Sequence, residues 1–478
     1  MKRKILIPLT VLLCVMCTSA WMEETTAEMT VKLPKFKSVS VHDPSVIRTG
    51  DGMFYIYGSH MAAARSEDLM NWTMISRDAG AGCTLVENVQ EQMKEALTYA
   101  RTKTFWAPDV QQLDDGRYAL YYCTCEGSSP LSALGLAISD SPEGPFVDQG
   151  IFLKSGAPGY NATYYPNVVD PCAFLDKEGQ LWMVYGSYSG GIFILKMDNA
   201  TGFPLPDQGY GTKLLGKNHA RIEGPYMFYS PETDYYYLFL SFGGLDSNGG
   251  YNIRVCRSRN PDGPFEDSLG QPMIQCGGAP GTFFHDVDYE GYGVKLMGGY
   301  KFLPADTDTS RMAQALRSPG HNSAWYDPET GGYFLIFHTR FAGSGESFSV
   351  RVHRMFMNAD GWPVVSPLRY AGEDVEAPDM GQVPGRWKVL FHEHDINPVE
   401  HVSVWAELDK GGMIAGDCSG SWTCEADGRC ELVLNGDVYK GVMVRAVDGA
   451  QGASVPCFTV INEKGEAVWG IRYDDLDE

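Results

Sequence analysis

Apolar positions along this chain come in short runs rich in aromatic and β-branched residues, broken repeatedly by Gly, Pro, Asn and Asp. Runs of that kind read as strands joined by tight turns. Helical spacing is scarce. The stretch NVQEQMKEALTYAR carries it and predicts one helix over residues 88–101.

The strand runs fall into a recurring unit: a polar or acidic residue, an apolar strand, a turn and an aromatic strand. HDPSVIRTGDGMFYIYGS begins at His42, WAPDVQQLDDGRYALYYC at Trp106 and VDPCAFLDKEGQLWMVYGS at Val169. IEGPYMFYSPETDYYYLFLS begins at Ile222 and HNSAWYDPETGGYFLIFH at His321. Each reads as a hairpin closed by a Gly- or Asp-containing turn. ARSEDLMNW, AISDSPEGPF and RSRNPDGPF each trail a hairpin and end in an aromatic, as the outer part of a blade would. These units predict an all-β chain, a five-bladed β-propeller over residues 36–375 that shields its strand edges by radial stacking. A β-sandwich would not repeat a polar residue at the same point of every unit.

In a propeller the innermost strand of each blade starts or ends at the central channel. Asp43, Asp109, Asp170, Glu223 and either His321 or Asn322 are therefore expected to converge on one axis. Beyond about residue 370 the texture changes. PDMGQVPGRW, from Pro378, reads as a linker, and residues 385–478 hold strand-like runs that do not match the unit. They predict a small C-terminal β-barrel or sandwich domain, expected to brace the propeller rather than to bind polysaccharide.

The 478 residues carry a net charge of −22, with a pI of about 4.8. That argues against nucleic acid or an anionic membrane as partner and suits a soluble protein with a neutral ligand. Lys2, Arg3 and Lys4, the apolar run from Ile5 to Met16 and the small residues ending at Ala20 read as a signal peptide over residues 1–20. The run is too short to span a bilayer comfortably. A secreted monomer is expected. Lipid anchoring at Cys17 ranks second, because Met16 before it fits poorly. Of the cysteines beyond the leader, Cys418, Cys424, Cys430 and Cys457 are the best disulfide candidates, with pairing unreadable. The rest read as small buried hydrophobes.

The motifs HDPS, VVDP and RIEGPY, in that order, resemble family 43 of the glycoside hydrolases. GHNSAWYDPETGGYFLIFHTRF and VRVHRMFMNADGWPVVSPLRY narrow the resemblance to endo-acting α-1,5-L-arabinanases of the larger type, with a C-terminal β domain. It covers about residues 38–375 strongly and the tail weakly. It implies an inverting hydrolase of arabinan or a related plant cell-wall polysaccharide. Asp43 matches the general base, Glu223 the general acid and Asp170 the acid that tunes and orients. Asn167 and Ser187 match sugar-contacting positions, and His321 the protein ligand of a calcium ion whose shell includes water. Tyr188 and Ser189 stand where the family often has bulkier aromatics, which leaves endo against exo action open.

The chemistry also stands without the family. Hydrolysis with inversion needs one protonated carboxyl to donate to the leaving oxygen and one carboxylate to activate water from the other face. The acid must have its pKa raised, which burial and a neighbouring carboxylate both do. Asp170 can supply the charge and the aromatic residues after Glu223 the surroundings. Asp109 is expected to be structural, binding backbone amides. Trp106 beside it suits stacking on a sugar, and otherwise reads as core. An exo-acting α-L-arabinofuranosidase or β-xylosidase on the same fold is the alternative. A silent glycan-binding propeller would have lost an acid, and all three are present.

Overall fold

The computed structural model describes residues 34–303 and 314–473. The expected signal peptide, with Cys17, lies outside the described residues. Four sheets of four strands follow one another. They open with the strands Ser45–Arg48, Asp109–Gln112, Cys172–Leu175 and Ile222–Ser230. A fifth sheet opens its own four-stranded meander with Leu316–Asp327. In every blade the first two strands are the hairpin read from sequence, as in Ser45–Arg48 with Phe54–Gly58. The turns at Gly52, Gly116 and Gly179 need φ near +90°, +88° and +82°, which glycine adopts without strain.

The echo segments fall between the third and fourth strands. Their terminal aromatics Trp72, Phe146 and Phe265 are buried. Each interface between neighbouring blades has its own apolar core. The ring closes where Val46, Ile56 and Trp72 of the first blade pack against Ile336 and Val350 of the fifth. Residues 37–39 bridge the same pair. Lys37 O accepts from Trp72 N–H at 2.9 Å and Val39 O from Val350 N–H at 3.0 Å.

The C-terminal domain is a closed antiparallel barrel of eight strands, running from Gly385–His392 to Ala467–Tyr473, which pair with each other. It shares a core with the fourth and fifth blades: Val444, Cys457 and Trp469 pack with Leu296, Tyr300 and Val364. The connection between its first two strands, Gly385–His392 and Val404–Leu408, also extends the fifth sheet, because His401–Val402 pairs in parallel with Tyr300–Lys301. The C-terminal domain thus both packs on the propeller and adds a short strand to its fifth sheet.

Two expectations need correction. The single helix over residues 88–101 is two short helices, Val89–Gln92 and Lys94–Tyr99. They part at buried Met93, whose φ −98° and ψ 23° leave the helical region. And all ten described cysteines are free. Cys424 and Cys430 face each other across a strand pair, yet both serve the barrel core as apolar side chains, as does Cys418. Cys457 does the same in the core shared with the propeller. Among the described residues, no helix is long and apolar enough to cross a membrane.

Candidate active site

The backbone aims the acids at the axis. Asp43 and Asp170 adopt left-handed φ values of 57° and 56°, each two residues before its blade's first strand. Such conformations are costly outside glycine and persist where the surroundings impose them. In the fourth blade the register slips between Glu223 and Tyr226, with Gly224 at φ 57°. In the fifth it slips on both sides of Gly320, beside His321 at φ 44°. Bulges of this kind re-aim side chains. A Cβ on Gly224 would stand 3.0 Å from His321 Cγ, so the close approach of these two strands requires glycine as well as the turn does.

Asp43 is buried and surrounded by donors. Ser59 Oγ donates to Oδ2 at 2.5 Å, His42 Nδ1 lies 2.7 Å from the same oxygen, and His321 Nδ1 lies 3.1 Å from Oδ1. Burial alone would raise its pKa. His42 and His321 outweigh burial and hold the carboxyl well below the ordinary carboxylate value, so it stays charged. The Asp43 N–H donates to His338 Nδ1 at 3.2 Å. Burial, then His42, keeps His338 neutral and able to accept. His42, Asp43 and His338 bring three metal-ligating atoms together. The two imidazole nitrogens are already committed to Asp43, so the trio reads as the setting of a base.

Glu223 has the opposite environment. Burial raises its pKa, and the Asp43 charge adds to this. Hydrogen bonds from Ser187 Oγ at 2.7 Å and Tyr251 Oη at 3.1 Å, with the His321 charge, offset only part. Asp170 is raised as well, by burial and by its two acidic neighbours, against His321. Its Oδ2 accepts from Gly224 N–H at 3.2 Å, tying it to the Glu223 backbone. The site thus holds one carboxylate, Asp43, kept charged and two carboxyls, Glu223 and Asp170, whose pKa values are pushed upward.

His321 faces all three acids electrostatically. Burial would lower its pKa, but Asp43, then Asp170 and Glu223, raise it to about 9. Its Nδ1 is turned to Asp43, and its N–H donates to Ser241 Oγ at 2.7 Å. The surroundings suit a divalent cation held through the remaining nitrogen. Carboxylates balance the charge, and the adjacent Asn322 has buried side-chain oxygen and nitrogen atoms without a protein partner. A single imidazole leaves most of a calcium shell to oxygen.

Ser187 proves to be the hydrogen-bond partner of Glu223. Asn167 pairs by backbone with Ser187, and its Oδ1 accepts from Ser132 Oγ at 2.5 Å. Trp106 is half-buried against the core between the second and third blades. Asp109 points away from catalysis: it accepts from Ser45 Oγ in the first blade and from Ala173 N–H in the third, the latter at 2.6 Å. Sequence reading missed Ser59, Tyr251, His338 and Arg340. The last two sit at alternate positions in FHTRF, a spacing that puts both on one face of a strand.

A propeller that gathers three buried acids, one held charged and two with raised pKa values, has the groups that acid–base hydrolysis of a glycoside needs. Residues 36–285 match glycosyl hydrolases family 43, and residues 367–470 match the C-terminal lipocalin-like domain found with it. The chain belongs to glycosyl hydrolases family 43. It is 52% identical over 446 residues to the extracellular endo-α-(1→5)-L-arabinanase 2 of Bacillus subtilis, covering 92% of this chain and 94% of that protein. A crystal structure of a family 43 glycoside hydrolase from Bacillus licheniformis superposes with a TM-score of 0.89 at 50% identity, covering 93% of this chain and all of that one. The endo-1,5-α-L-arabinanase of Thermotoga petrophila superposes with a TM-score of 0.88 at 44% identity, over 92% of this chain and 100% of that one.

Proposed function

We propose that the protein is a secreted endo-α-1,5-L-arabinanase that cuts its substrate by single displacement with inversion. The observation that carries this reading is the opposite setting of two buried carboxyls: Asp43 is ringed by His42, His321 and Ser59 and pushed toward its charged form, while Glu223 is pushed toward its protonated form. Asp43 takes a proton from water as the water attacks the anomeric carbon. Glu223 gives its proton to the leaving oxygen. Asp170 orients Glu223 through Gly224 and, when charged, raises its pKa. Ser187 and Tyr251 hold the Glu223 carboxyl in place. Asn167 supports Ser187, and Trp106 offers a half-exposed ring to a sugar. His321 would hold a calcium ion, with oxygen donors supplying the rest of its ligands. When bound, the ion adds positive charge that favours ionised Asp43. The arabinan substrate and the extracellular location follow the relatives at 52% and 44% identity.

The test is hydrolysis of linear α-1,5-arabinan by wild type and Glu223→Ala, with product sizes followed in time. Mixed short oligosaccharides from wild type and near-loss in the variant are expected. Arabinose alone from the outset would make the enzyme exo-acting, and an active Glu223→Ala would remove Glu223 as acid.

A further inference from the structure

The rim beside Glu223 carries an aromatic strip that proton transfer does not use. Phe283 and Phe284 are 65% and 43% exposed, with ring centroids 4.1 Å apart. They belong to the long connection between the third and fourth strands of the fourth blade. Phe284 meets Tyr188 edge-on at 5.2 Å, and Phe283 meets His219 at 4.9 Å. The four rings thus run outward from Tyr188, the residue after the serine that holds Glu223.

The strip is built rather than loose. Tyr188 N–H donates to Ile222 O at 2.9 Å and its hydroxyl to Gly243 O at 3.1 Å. His219 N–H donates to Ser189 O at 3.0 Å, and Asn218 Nδ2 to Gly278 O at 2.7 Å. Arg221 is paired with Asp286, which anchors the Phe283–Phe284 connection. Tyr188, Ser189, Asn218, His219 and Phe284 all adopt left-handed φ, between 38° and 57°. Backbone strain of that kind gathers at ligand-binding surfaces. Here it is maintained around the exposed rings of Phe283 and Phe284, with Tyr188 and His219 half-buried beneath them.

We propose that Tyr188, His219, Phe283 and Phe284 form a stacking platform for the arabinose units on the leaving-group side of the bond being cut. The proposal rests on the arabinanase reading. The side follows from proton transfer. Glu223 protonates the leaving oxygen, so the departing chain lies beside Glu223, and Ser187 and Tyr188 continue from there. The occupant follows from the surface. The rings offer apolar faces, and the charge of Arg221 is cancelled by Asp286, so the surface fits a neutral sugar that stacks its C–H face and leaves its hydroxyls in water. Binding energy from such remote units lowers the barrier at the reacting bond.

The test compares wild type, Phe283→Ala/Phe284→Ala and Phe283→Tyr/Phe284→Tyr. On long linear arabinan the alanine pair is expected to lose about tenfold in kcat/KM. The tyrosine pair should keep most of it, and all three should melt alike. On arabinohexaose labelled at its reducing end, the alanine pair should release shorter labelled fragments, because fewer units are held on the leaving side. Unchanged kcat/KM in the alanine pair, a loss that tyrosine does not rescue, or longer labelled fragments would each overturn the proposal. If wild type itself fails to cut arabinan, the arabinanase reading falls first and the platform with it.

Discussion

Arg340 Nη2 lies 3.2 Å from His42 Nε2, and this contact decides which way His42 is protonated. A guanidinium only donates, so Nε2 must accept and the ring proton sits on Nδ1, the nitrogen 2.7 Å from Asp43. Arg340 is itself fixed by Glu346 at 2.7 Å. The general base is oriented by a relay of contacts from the fifth blade. His42→Ala should lower kcat on linear arabinan about a hundredfold, and Arg340→Met by a similar order. The double variant should be little worse than His42→Ala, since both act through one carboxylate. Rates that multiply independently would show that the two do not work together.

Ser187 and Tyr251 pull the Glu223 pKa down while burial pushes it up. The acid works protonated, so kcat/KM falls as pH rises through its pKa. Ser187→Ala or Tyr251→Phe removes a bond that favours the charged form. The alkaline limb of the pH–rate profile should therefore move to higher pH. The plateau should drop, because the carboxyl loses a positioning contact. A limb displaced to lower pH would contradict this assignment.

Burial raises the Asp109 pKa from 3.8 to about 7, against its hydrogen bonds from Ser45 and Ala173. The folded state then holds a proton that the unfolded chain has released. Stability from this group is full below its unfolded pKa, falls as pH rises between the two values, and is lost above the folded one. Asp109→Asn keeps an acceptor for Ala173 and cannot ionise. Its Tm should therefore change less than that of wild type across that window, which thermal melts at stepped pH would measure. Parallel curves would mean that Asp109 stays charged in the fold.

Trp469 is fully buried where barrel and propeller share a core, 5.1 Å from Tyr300 and 4.3 Å from His392. Trp469→Ala should cost about 3–5 kcal/mol. Denaturant unfolding followed by fluorescence from both parts should show one transition moved to lower denaturant. Loss of the barrel transition alone would show that the two parts unfold separately.

Much of the fold is visible in the chain because each blade repeats a polar residue before its hairpin. That regularity exposed Asp43, Asp109, Asp170, Glu223 and His321 together, and the propeller explains why Asp43, Asp170, Glu223 and His321 meet while Asp109 ties neighbouring blades. The partners of these residues are far less visible. Tyr251 follows a Ser-Asn-Gly-Gly turn and Ser59 follows the strand Phe54–Gly58, so neither stands at the repeated position. The antiparallel pairing inside each blade brings Tyr251 to Glu223 and Ser59 to Asp43. The helix read over residues 88–101 fails at Met93 because spacing records which face is apolar, not where the backbone turns. Tyr188 and Ser189 stood out as smaller than expected. Phe283 and Phe284, which surround that opening, lie in an irregular connection without any period.

The parallel pairing of His401–Val402 with Tyr300–Lys301 joins segments about a hundred residues apart in the chain. Protein synthesis proceeds from the N-terminus, and domains tend to fold as they emerge. The first four blades hold their own strands by residue 297. The sheet that carries His321 cannot be completed until residue 402 has left the ribosome. The meander that carries His321 ends at Arg369, so the edge of that sheet is the part that waits for the barrel. A chain stopped at the end of the fifth meander would carry every catalytic acid and still lack the strand that completes the sheet behind His321.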